Sequence, residues 1–427
     1  MKKRDDNHSK RPGQGPPGEG RPEGAETYAA PPPPSKGRIV GIDCHPDTFT
    51  AAVLRGSTPH EARQLECRDG LGLDRLLQWA AREFTRHDLF LMEAGSNSFE
   101  ICRRLRALGL RAVVLESAWV GKHAGSHADN DRMAAARIAL VYLAGNAPCV
   151  WLPDAATLQR RELLHAYTAA VAGDVAAGNA VKGYLNQYAV RLAKRDPASE
   201  KTRGWILRQR DWSALQLEIL AAHFAALDHH AGLRKRLSRL IGREVAAEPL
   251  MLRCMKLLGI GMVNAFALLA VIGDVRRFER PEKLVSYLGL NPGQKDSGQG
   301  KRVKLGIGKR GRGDMRALLV QGAHAVLRMG KRTAAGAWGM KLFLRKGNRN
   351  VAVAAVARKL AVQVWHLLSG NPPQALEPDK SLKIKLGKLA VTLGKTLRKE
   401  LAFPPSLAAT VETLLSRIGD PPETNTA

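Results

Sequence analysis

Three acids and one serine stand where they could act on a phosphodiester. Asp43 closes the apolar run Gly37-Arg38-Ile39-Val40-Gly41-Ile42-Asp43, and Glu93 closes Asp88-Leu89-Phe90-Leu91-Met92-Glu93. Two-metal phosphoryl chemistry needs carboxylates converging from separate elements, because Mg²⁺ and Mn²⁺ take hard oxygen ligands. Taken alone, each acid also reads as a helix cap or a solvated strand end. Two of them at equivalent strand ends favour a metal site. Gly41 and Gly95 beside them would let backbone and phosphate approach closely. The third acid, Asp131, lies in Asp129-Asn130-Asp131-Arg132-Met133-Ala134, where Asn130 or Asp129 could cap a helix. Positions 131 and 134 share one helix face, so a second acid is expected at 134. The residue there is alanine.

Ser297 lies in Asp296-Ser297-Gly298-Gln299-Gly300-Lys301-Arg302, with Gly308-Lys309-Arg310-Gly311 and Arg316 further on. A hydroxyl beside glycine, followed by cations, suits a nucleophile that attacks phosphorus, since the cations stabilise the developing charge. A surface-loop serine has the same local look. Arg302, Lys309 and Arg310 are assigned to phosphate contact, and Arg316 joins them as a nucleic-acid-binding residue. Ser286 ranks behind Ser297 because it falls in an apolar helical run, where a hydroxyl usually bonds back to the helix.

The elements that must position these residues alternate strand and helix up to about residue 155. Strands are expected at 37–43, 48–55, 88–93 and 111–116, and helices at 74–85 and 99–108, with Leu76, Leu77 and Ala80 on one face. This pattern implies an α/β domain with a largely parallel sheet, whose active groups gather at the carboxyl ends of strands. From about 156 to 246 the sequence is helical, with a break at Pro197 and Gly204, and suits a spacer or dimer contact. Residues 250–330 form a unit with closely spaced glycines, and 350–369 read as one amphipathic helix. The Lys-rich stretch from Lys380 is expected to be a flexible or partly helical nucleic-acid arm. Residues 1 to about 37, rich in Pro, Gly and charge, are read as a disordered leader. The resulting division is 1–37, 38–155, 156–248, 249–375 and 376–427.

Composition narrows the partners. Lys and Arg number 67 against 39 Asp and Glu, a formal charge of +28, which attracts polyanions. The five cysteines are scattered without a CxxC pair, which argues against a zinc site and a disulfide framework and fits a reducing cytoplasm. No uninterrupted apolar run is long enough to span a bilayer, and no signal-peptide core stands at the N-terminus.

With Gly41-Ile42-Asp43-Cys44-His45, Met92-Glu93-Ala94-Gly95-Ser96 and Asn130-Asp131-Arg132-Met133-Ala134-Ala135, the sequence resembles the DEDD transposases of insertion sequences. That family includes the Piv-type invertases and the bridge-RNA-guided recombinases. The likeness continues through Leu257-Leu258-Gly259-Ile260-Gly261, Phe278, the block Leu284 to Pro292 and the Ser297 block, and covers about residues 38–370. It implies an RNase H-type (RuvC-like) N-terminal domain, a coiled-coil-like helical middle and a mainly α transposase domain with a helix-hairpin-helix. The glycine-rich turn of the last element can offer N–H groups to phosphate.

The resemblance further implies that Asp43, Glu93 and Asp131 bind Mg²⁺ (or Mn²⁺) and that Ser297 forms a phosphoserine link to DNA. It implies an active site shared across subunits of a dimer or tetramer, a structured non-coding guide RNA as partner alongside DNA, and a bacterial, nucleoid-associated setting without membrane. Ala134 falls where the family carries its fourth acid. Three explanations stand: an engineered inactivation, a naturally inactive homologue, or substitution by Asp129. The last is disfavoured because a two-residue offset on a helix points away from Asp131. A RuvC-like structure-specific nuclease and a non-enzymatic nucleic-acid-binding protein are the rival functions.

Overall fold

A computed structural model describes residues 31–34, 37–122, 130–145, 147–295, 303–308, 311–371 and 379–418. The chain forms two compact units, Met1–Leu152 and Pro153–Ala427.

The first unit is built on six strands: β1 (Ile39–Cys44), β2 (Phe49–Arg55), β3 (Arg63–Leu71), β4 (Leu89–Glu93), β5 (Arg111–Leu115) and β6 (Cys149–Val150). They lie in the order β3-β2-β1-β4-β5-β6. Only β1, β4 and β5 are parallel; β2, β3 and β6 run antiparallel to their neighbours. The largely parallel sheet expected from the sequence is therefore a mixed one. Its reason is local: only residues 45–48 separate β1 from β2, too few for a crossover, so the chain must turn back as a hairpin.

The helices of this unit are α1 (Leu73–Glu83), α2 (Ser98–Ala107), α3 (Ser117–Lys122) and α4 (Asp131–Leu143). Strand alternation sorts the side chains between two cores. Val40, Ile42, Phe90 and Met92 pack with Leu76, Trp79, Ile101 and Leu105 of α1 and α2. Ile39, Leu89 and Leu91 pack on the other face with Ile138, Ala139 and Tyr142 of α4. The same parity sends Asp43 and Glu93 to the α4 face. An ion pair closes the opposite end of these strands. Asp88, buried, accepts from the Arg38 amide (2.7 Å), the Arg38 guanidinium (3.1 and 3.2 Å) and the Thr85 amide (2.8 Å). Burial pushes the Asp88 carboxyl up, but the bonds from Arg38 and Thr85 outweigh it and hold it below its ordinary value.

Among the described residues, the second unit is helical apart from one hairpin. Its first elements are α5 (Ala155–Gln187), α6 (Glu200–Leu207) and α7 (Ala214–Ala247). The long helices run antiparallel: Arg160 meets Glu244 and Glu248 at 3.2 Å, and further along Asp174 meets Arg234 at 2.7 Å. Then come α8 (Pro249–Cys254), α9 (Met262–Ile272), α10 (Pro281–Tyr287), the strands β7 (Pro292–Lys295) and β8 (Val303–Ile307), α11 (Gly313–Met329), α12 (Ala334–Lys346) and α13 (Arg349–Leu368). Helix α9 is apolar apart from Asn264 and buried along Ala265–Ile272, which puts it at the centre of the core. Helix α13 has the length and composition to cross a membrane, yet Val353, Val356, Leu360 and Val364 are buried in this same core.

The Lys-rich C-terminal segment, expected as a flexible or partly helical arm, is helical and packed against the core. It forms α14 (Asp379–Glu400) and α15 (Leu407–Arg417). Leu382, Leu386, Leu389 and Leu393, spaced for one helix face, are buried in the core. Lys385 Nζ donates to the carbonyls of Met255 (2.9 Å) and Leu257 (2.8 Å), and Lys383 pairs with Glu412 at 2.8 Å. Its lysines flank a packed seam.

Candidate active site

Three elements bring the acids of the first unit together. β1 and β4 are in parallel register, with Ile42 opposite Met92, so Asp43 and Glu93 follow side by side at the carboxyl edge. Asp131 opens α4. Asn130 caps that helix, its Oδ1 accepting from the Met133 amide at 2.9 Å, while the Ala134 amide bonds to the Asn130 carbonyl. Asp129 lies outside the described residues. Arg132 anchors the same turn to β3 by bonding Asp69 at 3.1 Å, and Asp69 also accepts from Thr50 at 2.6 Å.

Gly41 decides how close this helix can come. A Cβ at residue 41 would stand 2.0 Å from the Ala135 carbonyl oxygen, so only glycine lets α4 lie on β1. The expectation that Gly41 makes room for a phosphate is corrected: the backbone of α4 fills that space. A Cβ at residue 95 would meet nothing nearer than the Glu93 carbonyl oxygen at 3.9 Å.

The close approach gathers one ligand atom from each of Asp43, His45 and Asp131 within 4.8 Å of one another. His45 had no role in the sequence reading. It lies two residues after Asp43 and so on the same side of the chain. Its Nε2 stands 3.4 Å from Asp43 Oδ2 and 3.3 Å from Asp131 Oδ2. That nitrogen is buried and has hydrogen-bond geometry to neither oxygen. The His45 backbone is held from behind, where Asn97 Nδ2 donates to its carbonyl at 2.8 Å.

The electrostatics show a shortage of positive charge. Burial raises the Asp43 carboxyl above its ordinary value, with His45 opposing and the Asp131 charge adding to the rise. Burial likewise raises Glu93; the Asp43 charge adds to it, and Arg137 from α4 opposes it. A bound cation would reverse both effects. Two carboxylates and an imidazole whose nitrogen has no hydrogen-bond partner make a donor set that fits a divalent ion, with Glu93 at its flank. Ala134 follows Asp131 by one turn and contributes no ligand atom.

In the second unit, β7 and β8 pair antiparallel, Gln294 opposite Lys304 and Lys295 opposite Val303. Ser297 and Arg302 fall between these strands, and Lys309 and Arg310 follow β8; all four lie outside the described residues. Arg316 is described. Its guanidinium donates to the carbonyls of Gly289 (3.2 Å) and Gly308 (3.4 Å), tying α11 to both flanks of the hairpin. Ser286 is exposed on α10. Gly259, at φ +79°, crosses α11 so closely that a Cβ there would meet the Gly322 carbonyl oxygen at 2.6 Å. This glycine is thus required by helix packing.

Comparison with known proteins points to DNA transposition. Residues 252–337 match the family model described as transposase IS116/IS110/IS902 family. Over 358 residues the chain is 27% identical to a putative transposase, y4qE, of Sinorhizobium fredii, covering 77% of this chain and 87% of that protein. At the same identity and length it is similar to a probable family 20 transposase of Pseudomonas aeruginosa, 96% of which is covered. A 112-residue stretch is 38% identical to the transposase for insertion sequence element IS1111A of Coxiella burnetii, spanning 30% of that protein. Together these matches support a transposase function of the IS116/IS110/IS902 type.

Proposed function

We propose that this protein is a transposase that cuts and rejoins DNA through a serine, with a RuvC-like first unit that holds Mg²⁺ or Mn²⁺. The observation that carries the reading is the convergence of Asp43, His45 and Asp131, with Glu93 alongside, at the carboxyl edge of parallel strands. A divalent ion bound there supplies positive charge against the scissile phosphate. Asp43, Asp131 and His45 would hold it, the imidazole standing in for the ligand that Ala134 lacks and shifting preference from Mg²⁺ toward Mn²⁺. Asn97 and the α4 cap keep these donors in place.

Ser297 Oγ attacks phosphorus, forming a phosphoserine bond as the bond to one deoxyribose oxygen breaks; that oxygen takes up a proton. Attack by a deoxyribose hydroxyl of the incoming strand reverses the step, rejoins the DNA and returns the proton to Ser297. The +28 charge suits a protein that holds DNA together with a structured non-coding guide RNA, and that assembles as a dimer or tetramer on them.

Two substitutions test this reading with matched donor and target DNA and Mg²⁺ or Mn²⁺. Ala134→Asp supplies the fourth carboxylate and is expected to raise recombination, most in Mg²⁺. Ser297→Ala is expected to abolish the covalent protein–DNA adduct and lower recombination by on the order of 10⁶-fold. Strand cleavage that survives Ser297→Ala would mean a hydrolytic nuclease. Ala134 itself favours a second reading, an inactive nucleic-acid-binding homologue; that reading expects tight binding and no recombination even after Ala134→Asp.

A further inference from the structure

At the end of the α5–α7 pair remote from the main core, a cavity of about 510 Å³ is lined by Tyr188, Arg191, Trp205, Gln209, Arg210 and Asp211 together with Ala189 and Val190. Its size falls within the roughly 300–1,000 Å³ of small-ligand sites. Val190 of its lining belongs to a separate small core with Val181, Leu185, Leu192, Ile206, Leu220 and Leu227. Trp212 Nε1 donates to the Ile206 carbonyl at 3.1 Å, and Arg203 grips Asp228 through two bonds of 2.8 and 2.6 Å, fixing α6 against α7.

Guanidinium groups lie over the aromatic rings here. Arg210 stands 4.5 Å from the Tyr188 ring centre and 5.1 Å from that of Trp212, and Arg195 stands 4.2 Å from Trp205. Between Tyr188 and Asp211 the sequence holds seven Lys or Arg (191, 194, 195, 201, 203, 208, 210) against three acids (196, 200, 211). Arg191, Arg195 and Arg210 form no ion pair among the described residues. Two alanines in this segment, Ala189 at φ +60° and Ala193 at φ +50°, adopt the left-handed conformation. Ala189 ends α5 in that state, with the Val190 amide bonded back to Leu185.

We infer that this cavity is a stacking site for one unpaired nucleobase of a single-stranded nucleic acid, with the adjoining phosphate on Arg191 and Arg210. Rings and guanidinium planes together form the platform that takes a splayed base, and unpaired guanidinium groups take its phosphate. Gln209 and Asp211 at the rim offer acceptors to the amino edge of the base. An acidic peptide would also be drawn to the arginines, but it has no use for the aromatic rings. The inference does not depend on the carboxylate site of the first unit.

The test uses the full chain and nine-residue oligouridylate and oligothymidylate, each carrying a central 2-aminopurine, with a duplex of equal length as control. Binding of either single strand is expected to quench the 2-aminopurine. Trp205→Ala is expected to relieve that quench and weaken binding about 5-fold to 150-fold, the range for loss of one base stack. Trp205→Phe restores the platform and is expected to recover most of the loss, which a merely unfolded tip would not. Arg191→Gln, on the surface, is expected to weaken binding and reduce its salt dependence by about one phosphate contact. A 4-thiouridine oligonucleotide is expected to crosslink to peptides containing Tyr188 or Trp205. Preference for the RNA strand would show that the 2′-hydroxyl is also read, and equal affinity that base and phosphate suffice; both support the site. Crosslinks confined to other segments, an unchanged quench in Trp205→Ala, or equal displacement by polyglutamate would overturn it.

Discussion

The acid cluster and the aromatic–arginine cavity are assembled in opposite ways. Asp43, His45, Glu93 and Asp131 come from three elements far apart in sequence and meet because β1, β4 and α4 pack closely. Residues Tyr188 to Asp211 are almost contiguous, and their cavity shares Val190 with a separate small core. Damage to packing in the first unit should therefore destroy the first site and spare the second, whereas the second should respond to substitutions within its own segment or in the small core beside it.

The sharpest way to break this comparison is Gly41→Val. With a Cβ only 2.0 Å from the Ala135 carbonyl oxygen, α4 must move off β1, at about 2–3 kcal/mol for an overpacked core. Loss of Mn²⁺ binding in a calorimetric titration is expected, with the oligonucleotide quench at Trp205 unchanged. Gly95→Ala, which meets nothing closer than 3.9 Å, is the control and should change stability by less than about 0.5 kcal/mol. A next, similar effect is expected from Asp88→Asn, which breaks the pair with Arg38 at the far end of the same strands. Because Arg38 is partly exposed, the loss is set at about 2 kcal/mol, below that of a fully buried pair.

The pH dependence of that loss has a definite sign. The folded-state pKa of Asp88 is lowered, so its contribution is fully present above the unfolded carboxyl range and disappears as pH falls through the folded value. Thermal melts of wild type and Asp88→Asn should converge in acid and separate toward neutrality. The smallest effect is expected from Asn130→Ala, which removes the α4 cap at about 1 kcal/mol. Faster amide exchange in the first turn of α4 and weaker Mn²⁺ binding would register it, while the β-sheet amides stay protected.

Much of the first unit was legible because strand alternation is a short-range signal. Ile39, Val40 and Ile42, followed by an acid, and the same pattern at Leu89 to Glu93, gave both the strands and the edge where their carboxylates lie. β3 was missed because Arg63–Leu71 carries Arg, Glu and Asp through a half-exposed strand, without a clean apolar alternation. The C-terminal helices were obscured differently. Their leucines do repeat at helical spacing, but the lysines between them dominate the composition, and only burial shows that the seam is packed.

By itself, then, the sequence determined the residue types able to do chemistry, the strand ends that carry Asp43 and Glu93, the start of α4 with its cap at Asn130 or Asp129, and the missing acid at 134. These depend on a residue and its near neighbours along the chain. Tertiary structure alone decided that His45 joins Asp131, that Gly41 serves helix packing, and that Arg316 ties a hairpin to a helix. Each depends on a partner distant in sequence, and no local pattern carries the distance between them.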